Sequence, residues 1–286
     1  MTKTGGAIET GKYESKIQRV SADSVSREID WLAVEEPLEI RLGFNENNKS
    51  IHRAVSITMR TPGDDFALAA GFLYTEGILT ATNQITQIKH CGKFPNNQNT
   101  VRIDLSAETQ IDFKKLERNF YTTSSCGVCG KSSLEALETG ARAIETDANS
   151  PAISAAIVHS LPEKLRNSQR IFERTGGLHA AALFDDSGEL LNLREDVGRH
   201  NAVDKLIGAE FLKDNLPLDN VILFLSGRAS FELIQKAVMA QIPVVCAVGA
   251  PSSLAVEAAQ KFNVTLLGFV RDRRFNIYTG GERIVL

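Results

Sequence analysis

The chain has 286 residues, of which 43% are hydrophobic and 23% charged, and its formal net charge is −3. That is the composition of a globular chain able to bury one large core or two modest ones, and its mild acidity argues against a general nucleic-acid binder. No apolar run reaches the length of a membrane span and the N-terminus lacks the apolar stretch of a secretory signal, so the sequence predicts a cytoplasmic protein without a membrane partner.

Residues 1–28 are polar and read as a loosely ordered segment. Residues 29–120 read as an α+β portion. Period-two alternation predicts strands at "EPLEIRLGF", "IHRAVSITMR", "QITQIKH" and "TVRIDL". Between them "TPGDDFALAAGFLYTEGI" predicts a helix, with Thr61 or Asp64 as its cap and Pro62 near its first turn.

Residues 121–286 read as an α/β core. In "SSLEALETGARAIE", Leu134, Leu137, Ala141 and Ile144 share one helical face, and Ser132 with Glu135 fits a capping box. "LNLREDVGRHNAVDKLIG" gathers Glu195, Asp196, Arg199, His200, Asn201, Asp204 and Lys205, which is too polar a set for a core helix. Farther on, the short apolar runs "VILFLS", "IPVVCAV" and "VTLLGFV" alternate with helical patterns. This order predicts a parallel sheet covered on both faces, with a ligand crevice at the carboxyl ends of its strands.

Two of the four cysteines, Cys126 and Cys129, stand in "SSCGVCG", each followed by glycine. In a reducing compartment such a pair signals metal or reactivity more than a structural disulfide. Zinc with His179 as third ligand is one reading. Deaminase chemistry then needs a Glu two residues past the histidine, and position 181 is alanine. A thioredoxin-like dithiol is a second reading, although the capping box starts the helix after both cysteines rather than at the first. A carrier thiol is the third: a glycine-flanked loop presents sulfur as a persulfide, and the second cysteine resolves it or assists its transfer. Cys246, inside "IPVVCAV", reads as a small buried hydrophobe.

The segment Phe269, Val270, Arg271, Asp272, Arg273, Arg274 ends a strand at the expected crevice. Its guanidinium forks suit a pyrophosphate, although a solvated basic turn has the same composition. The turn "VGAPSS" offers backbone N–H groups at a helix start, a second place for phosphate.

These motifs, taken with "RTPGDDFALAAGFLYTEGI", "LSGRASFELIQKA" and "GFVRDRRFNIYTG", occur in the order found in the FdhD/NarQ family, which the chain resembles over residues 30–286. The resemblance implies a cytidine deaminase-like α/β core with the α+β portion attached. It implies a formate dehydrogenase accessory sulfurtransferase. Such a protein takes persulfide sulfur from a cysteine desulfurase and passes it to the molybdenum cofactor, in its bis(molybdopterin guanine dinucleotide) form. The persulfide falls on Cys126, Cys129 is the second cysteine, and residues 269 to 274 bind the cofactor. GDP should act as a partial mimic. No metal site is expected, and a homodimer is the expected assembly. A zinc-dependent deaminase-like hydrolase and a non-catalytic cofactor-binding chaperone are the alternatives. His179 is expected near the cysteines, and His200 beside Glu195 and Asp196 to order the crevice.

Overall fold

A computed structural model describes residues 8–9, 11–46, 49–92, 97–109, 141–145 and 152–286. Cys126 and Cys129 lie outside the described residues, as do the Ser132–Glu135 capping box, Leu134 and Leu137. The fold is mixed α/β, as the sequence predicts.

The chain opens with β1 (Ile8–Glu9), β2 (Lys12–Val20) and β3 (Val25–Ala33), a small antiparallel sheet. β2 and β3 pair along their whole length, from Lys12 opposite Ala33 to Val20 opposite Val25. Residues 12–28 are therefore ordered as a hairpin rather than loose. The pattern hid this because much of the hairpin is exposed, including Val20, Val25 and Ile29. No buried face imposes the alternation by which strands are read.

β4 (Glu36–Glu46), β5 (Lys49–Arg60), α1 (Asp65–Thr75), β6 (Ile85–His90) and β7 (Thr100–Leu105) follow. Their sheet has the order β5-β4-β7-β6. Leu38, Ile40 and Leu42 from β4 and Val101 and Ile103 from β7 pack against Leu68, Ala69 and Leu73 of α1. The predicted caps of α1 act differently. Asp64 stands at the cap position in a left-handed conformation without a side-chain cap bond. The Thr61 hydroxyl instead accepts from Val197 N at 3.2 Å.

After the short β8 (Ile153–Ser154) come α2 (Ala155–Ser168), α3 (Arg170–Thr175), β9 (His179–Phe184), β10 (Leu190–Asp196) and α4 (Arg199–Phe211). β11 (Ile222–Leu225), α5 (Phe231–Met239), β12 (Val244–Ala247), α6 (Ser253–Lys261), β13 (Thr265–Arg271), β14 (Arg274–Thr279) and β15 (Ile284–Val285) complete the chain. The core sheet has the order β10-β9-β11-β12-β13-β14. β11, β12 and β13 are parallel, while β9, β10 and β14 run antiparallel to their neighbours. The predicted parallel sheet is thus the centre of a mixed one.

Both faces are covered, for a reason visible in single strands. Ala181 and Leu183 of β9 join Leu223, Leu225, Val245 and the inner faces of α4, α5 and α6. Ala180, Ala182 and Phe184, one residue out of step, join Phe224, Cys246 and α2 on the other side. The segment 141–145, expected to continue a helix, is not helical. Ile144 is buried against the α4–α6 face, where its N donates to Phe262 O at 3.0 Å.

The helix predicted to be too polar for the core is the most enclosed one. From Asn201 to Phe211 every residue of α4 is buried. α1 crosses it closely: a Cβ at Gly208 would lie 1.9 Å from Ala67 O, and one at Gly71 1.9 Å from Asp204 O. Its charges are matched from distant elements. Lys205 Nζ lies 2.7 Å from Asp196 Oδ2 and donates to Thr61 O at 2.7 Å. Asp204 Oδ1 accepts from Thr75 Oγ1 at 2.8 Å and faces Lys236 Nζ at 2.9 Å. Burial of Lys236 favours its neutral form, but the Asp204 and Glu76 carboxylates outweigh that and raise its pKa. This network joins the β4–β7 unit to the core sheet. Among the described residues no helix is long and apolar enough to cross a membrane.

Candidate functional site

The turns expected to line a ligand crevice lie where the parallel strands end. Because β9 is antiparallel to β11, its first residue, His179, sits at that same edge. The turns after the strands are laced together by backbone hydrogen bonds running across the sheet. Gly249 N donates to Gly227 O at 2.9 Å, and Phe269 N donates to Gly249 O at 3.1 Å. The row thus reads Gly227, Gly249, Phe269, with one position from each successive parallel strand. On its far side Ser226 N donates to Ala180 O at 3.0 Å, and Ser226 Oγ accepts from Ala180 N at 2.8 Å.

Close approach favours glycine along this edge. A Cβ at Gly249 would come within 3.1 Å of the Arg228 backbone. At Gly268 it would lie 2.9 Å from both the Pro251 ring and the Tyr278 ring. At Gly227 it would press on His179 Nδ1 at 3.3 Å. Gly249 N and Phe269 N are spent on these cross-strand bonds, so what the glycines provide is close approach to the backbone rather than free amides.

Beyond the row, β13 and β14 extend as a hairpin. Arg271 pairs with Arg274, and Asp272 and Arg273 form the two-residue loop between them. Both loop residues are left-handed, with φ of 52° and 54°, as a type I′ turn demands. Phe269 is left-handed as well, at φ 55°, beside the register shift that follows Gly268. Holding arginine and phenylalanine in this region costs about 1 kcal/mol each. Such outliers concentrate at functional sites.

The six residues of the predicted cofactor segment divide by environment. Val270 is fully buried in the α2-side core and anchors the strand. Phe269 is half-buried, with the Arg271 guanidinium 5.9 Å above its ring. Arg271, Asp272, Arg273 and Arg274 are exposed. The Arg271 ion pair with Asp272 is loose, 3.8 Å between Nε and Oδ2, so this guanidinium fork is not committed to an internal partner.

His179 is partly buried, and its pKa is lowered, first by burial and then by the charges of Arg199 and His200, with Asp196 opposing. These effects disfavour the charged form of the imidazole at this edge of the sheet. Ala181, where a deaminase would place its glutamate, is fully buried. The zinc set cannot be placed, because its two cysteines lie outside the described residues.

Among the described residues His200 makes no hydrogen bond or ion pair with Glu195 or Asp196. Glu195 accepts from Ile171 N at 3.1 Å and Phe172 N at 2.9 Å, at the start of α3. Asp196 is fully buried and receives Thr61 N, Gly198 N and Asn201 Nδ2 besides Lys205. His200 instead faces α5, with Nε2 3.2 Å from Ser230 Oγ and 3.8 Å from Glu232 Oε2. The His200 ring and then the Ser230 hydroxyl bring the Glu232 carboxyl down to about 2, against its desolvation. At 3.8 Å the ring is beyond hydrogen-bond range, and the Glu232 side chain is 60% exposed. The pair therefore contributes little to stability. Ser226, Ser230 and Glu232 escaped the sequence reading. Their only signal was position, just after a strand and at a helix start.

A profile of the FdhD/NarQ family matches residues 33–285. The chain is 51% identical over 275 residues to a sulfur carrier protein FdhD of Streptomyces coelicolor, covering 95% of each. It is 44% identical over 276 residues to one of Mycobacterium tuberculosis, covering 94% of this chain and 97% of that protein. An archaeal relative of the same name, from Saccharolobus solfataricus, is 41% identical over 266 residues, 93% of this chain and 95% of its own. In fold the chain is similar to a crystal structure assigned to a formate dehydrogenase accessory protein of Desulfotalea psychrophila. The TM-score is 0.71 at 23% identity, covering 96% of this chain and 99% of that one. The order of motifs, the profile match and the relatives agree: the chain belongs to the FdhD/NarQ family.

Proposed function

We propose that the protein is a sulfur carrier for a formate dehydrogenase. On this reading it takes persulfide sulfur from a cysteine desulfurase on Cys126. It delivers that sulfur to the molybdenum cofactor, the bis(molybdopterin guanine dinucleotide) cargo, before insertion into the dehydrogenase. The relatives' shared name supports the carrier role. The observation that carries the cofactor half is the row Gly227–Gly249–Phe269 leading to the arginine hairpin. Glycine turns that permit close approach and guanidinium forks lie along one edge, and the forks suit a nucleotide diphosphate.

The chemistry balances without an external oxidant. The Cys126 thiolate attacks the outer sulfur of the desulfurase persulfide. The donor leaves as a thiolate, and Cys126 becomes the persulfide. Releasing that sulfur as sulfide takes two electrons. Attack of the Cys129 thiolate on the Cys126 sulfur supplies them, expelling hydrosulfide and leaving a Cys126–Cys129 disulfide. A dithiol reductant then restores both thiols.

Mass spectrometry after incubation with a cysteine desulfurase and cysteine tests the carrier reading. The protein should gain sulfur that a dithiol removes; no gain overturns the proposal. Calorimetry with GDP tests the crevice. Arg271→Ala and Arg274→Ala should each weaken GDP binding by up to about 3 kcal/mol, the upper contribution of a hydrogen bond to a charged group. Binding should also weaken as salt rises. If both variants bind GDP as the parent does, the nucleotide sits elsewhere.

A further inference from the structure

The helices that leave the crevice begin differently. Ser252 caps α6 in the usual way, its Oγ accepting from Ala255 N at 3.2 Å. Ser230 occupies the same position before α5, with the extended backbone of a cap (φ −95°, ψ 167°), yet its side chain makes no cap bond. Its hydroxyl lies 3.2 Å from Nε2 of His200, in the first turn of α4. A serine cap contributes about 1 kcal/mol to a helix. The Ser230 hydroxyl also reaches the Glu232 carboxyl in the first turn of α5, but the bond to His200 runs to a different helix. What the bond does is fix the β11–α5 turn, residues 226–230, to α4.

That turn carries the Gly227 end of the strand-end row. Ser226 ties it to Ala180 in the sheet, and Gly227 O and Ala229 tie it to the neighbouring turn through Gly249, Ala250, Pro251 and Ser252. Among the described residues, the tie from this turn to α4 is the one from Ser230 to His200. We infer that His200 is a positioning residue for nucleotide binding: through Ser230 it sets the β11–α5 turn and hence the Gly227 end of the cradle for the guanine nucleotide's diphosphate. This deepens the nucleotide reading above and rests on it.

GDP titration by calorimetry, with thermal midpoints measured in parallel, tests the inference. His200→Ala and Ser230→Ala should each weaken GDP binding about tenfold. The double variant should lose no more than either single one, because both remove the same bond. His200→Gln keeps a polar group at the reach of Nε2 and should recover most of the affinity. The thermal midpoint of Ser230→Ala should fall only slightly, since one hydrogen bond and no helix cap is removed. The inference is overturned if both alanine variants bind GDP as the parent does, if the losses add in the double variant, or if His200→Gln is as weak as His200→Ala. If the unsubstituted protein does not bind GDP, the nucleotide reading falls first and this inference falls with it.

Discussion

Cys126→Ala is expected to abolish dithiol-reversible sulfur uptake while leaving GDP binding at the parent level. A thiolate is the nucleophile in persulfide exchange, and a methyl group has no lone pair to offer. Cys129 stays in the variant as the resolving thiol, and the two cysteines outside the pair cannot take over equally. Cys246 is fully buried between β11 and β13, and burial pushes its thiol far up, so it presents neither access nor thiolate. Cys91 is exposed and free, so it is the site where incidental loading would occur. The measurement therefore compares Cys126→Ala, Cys91→Ser and the double variant after incubation with a desulfurase and cysteine. The parent and Cys91→Ser should gain one labile sulfur at Cys126, and the double variant none. If Cys126→Ala in the Cys91→Ser background still loads as the parent does, Cys126 is not the carrier. If Cys126→Ala loads normally only while Cys91 is present, uptake is nonselective.

Lys205→Ala is expected to lower the stability of the protein strongly. Lys205 is 2% exposed and Asp196 is not exposed at all. Truncating the lysine leaves a buried carboxylate without its counter-charge, and breaking such a pair typically costs about 3–5 kcal/mol. The N–H donors of Thr61, Gly198 and Asn201 remain on Asp196, which sets the expectation toward the lower end. Thr61 O also loses a buried donor. Urea unfolding should show a lower midpoint with little change in slope. Adding Asp196→Asn to Lys205→Met should recover part of the loss, because the stranded charge is removed together with its partner. A Lys205→Ala protein as stable as the parent would mean that water reaches Asp196, and that the α4 network does not hold the two sheets together.

Much of the fold was legible in the sequence, for a local reason. In β4, β7, β11, β12 and β13 the burial pattern is written within a few neighbouring residues, as period-two alternation or continuous apolar runs. The helices after those strands start at serine or at a turn. The place of the strand-end turns followed from this order alone, because such turns lie at the carboxyl ends of parallel strands. The left-handed Asp272–Arg273 turn was less legible, since neither residue is the glycine that usually marks it.

What the sequence by itself determined was therefore the succession of strands and helices in the core, the glycine turns between them, and the ordered motifs that identify the family. The tertiary structure decided where the polar segment at 199–211 goes. Read locally, Asn201, Asp204, Lys205 and Glu210 belong at a surface; in the fold all four are buried. Thr75 lies 129 positions from Asp204 in the chain, and Thr61 lies 144 positions from Lys205. The same holds for His200, whose partner Ser230 is 30 residues away on another helix. Burial of a charge depends on whether its counter-group arrives in space, and no local pattern in the chain encodes that arrival.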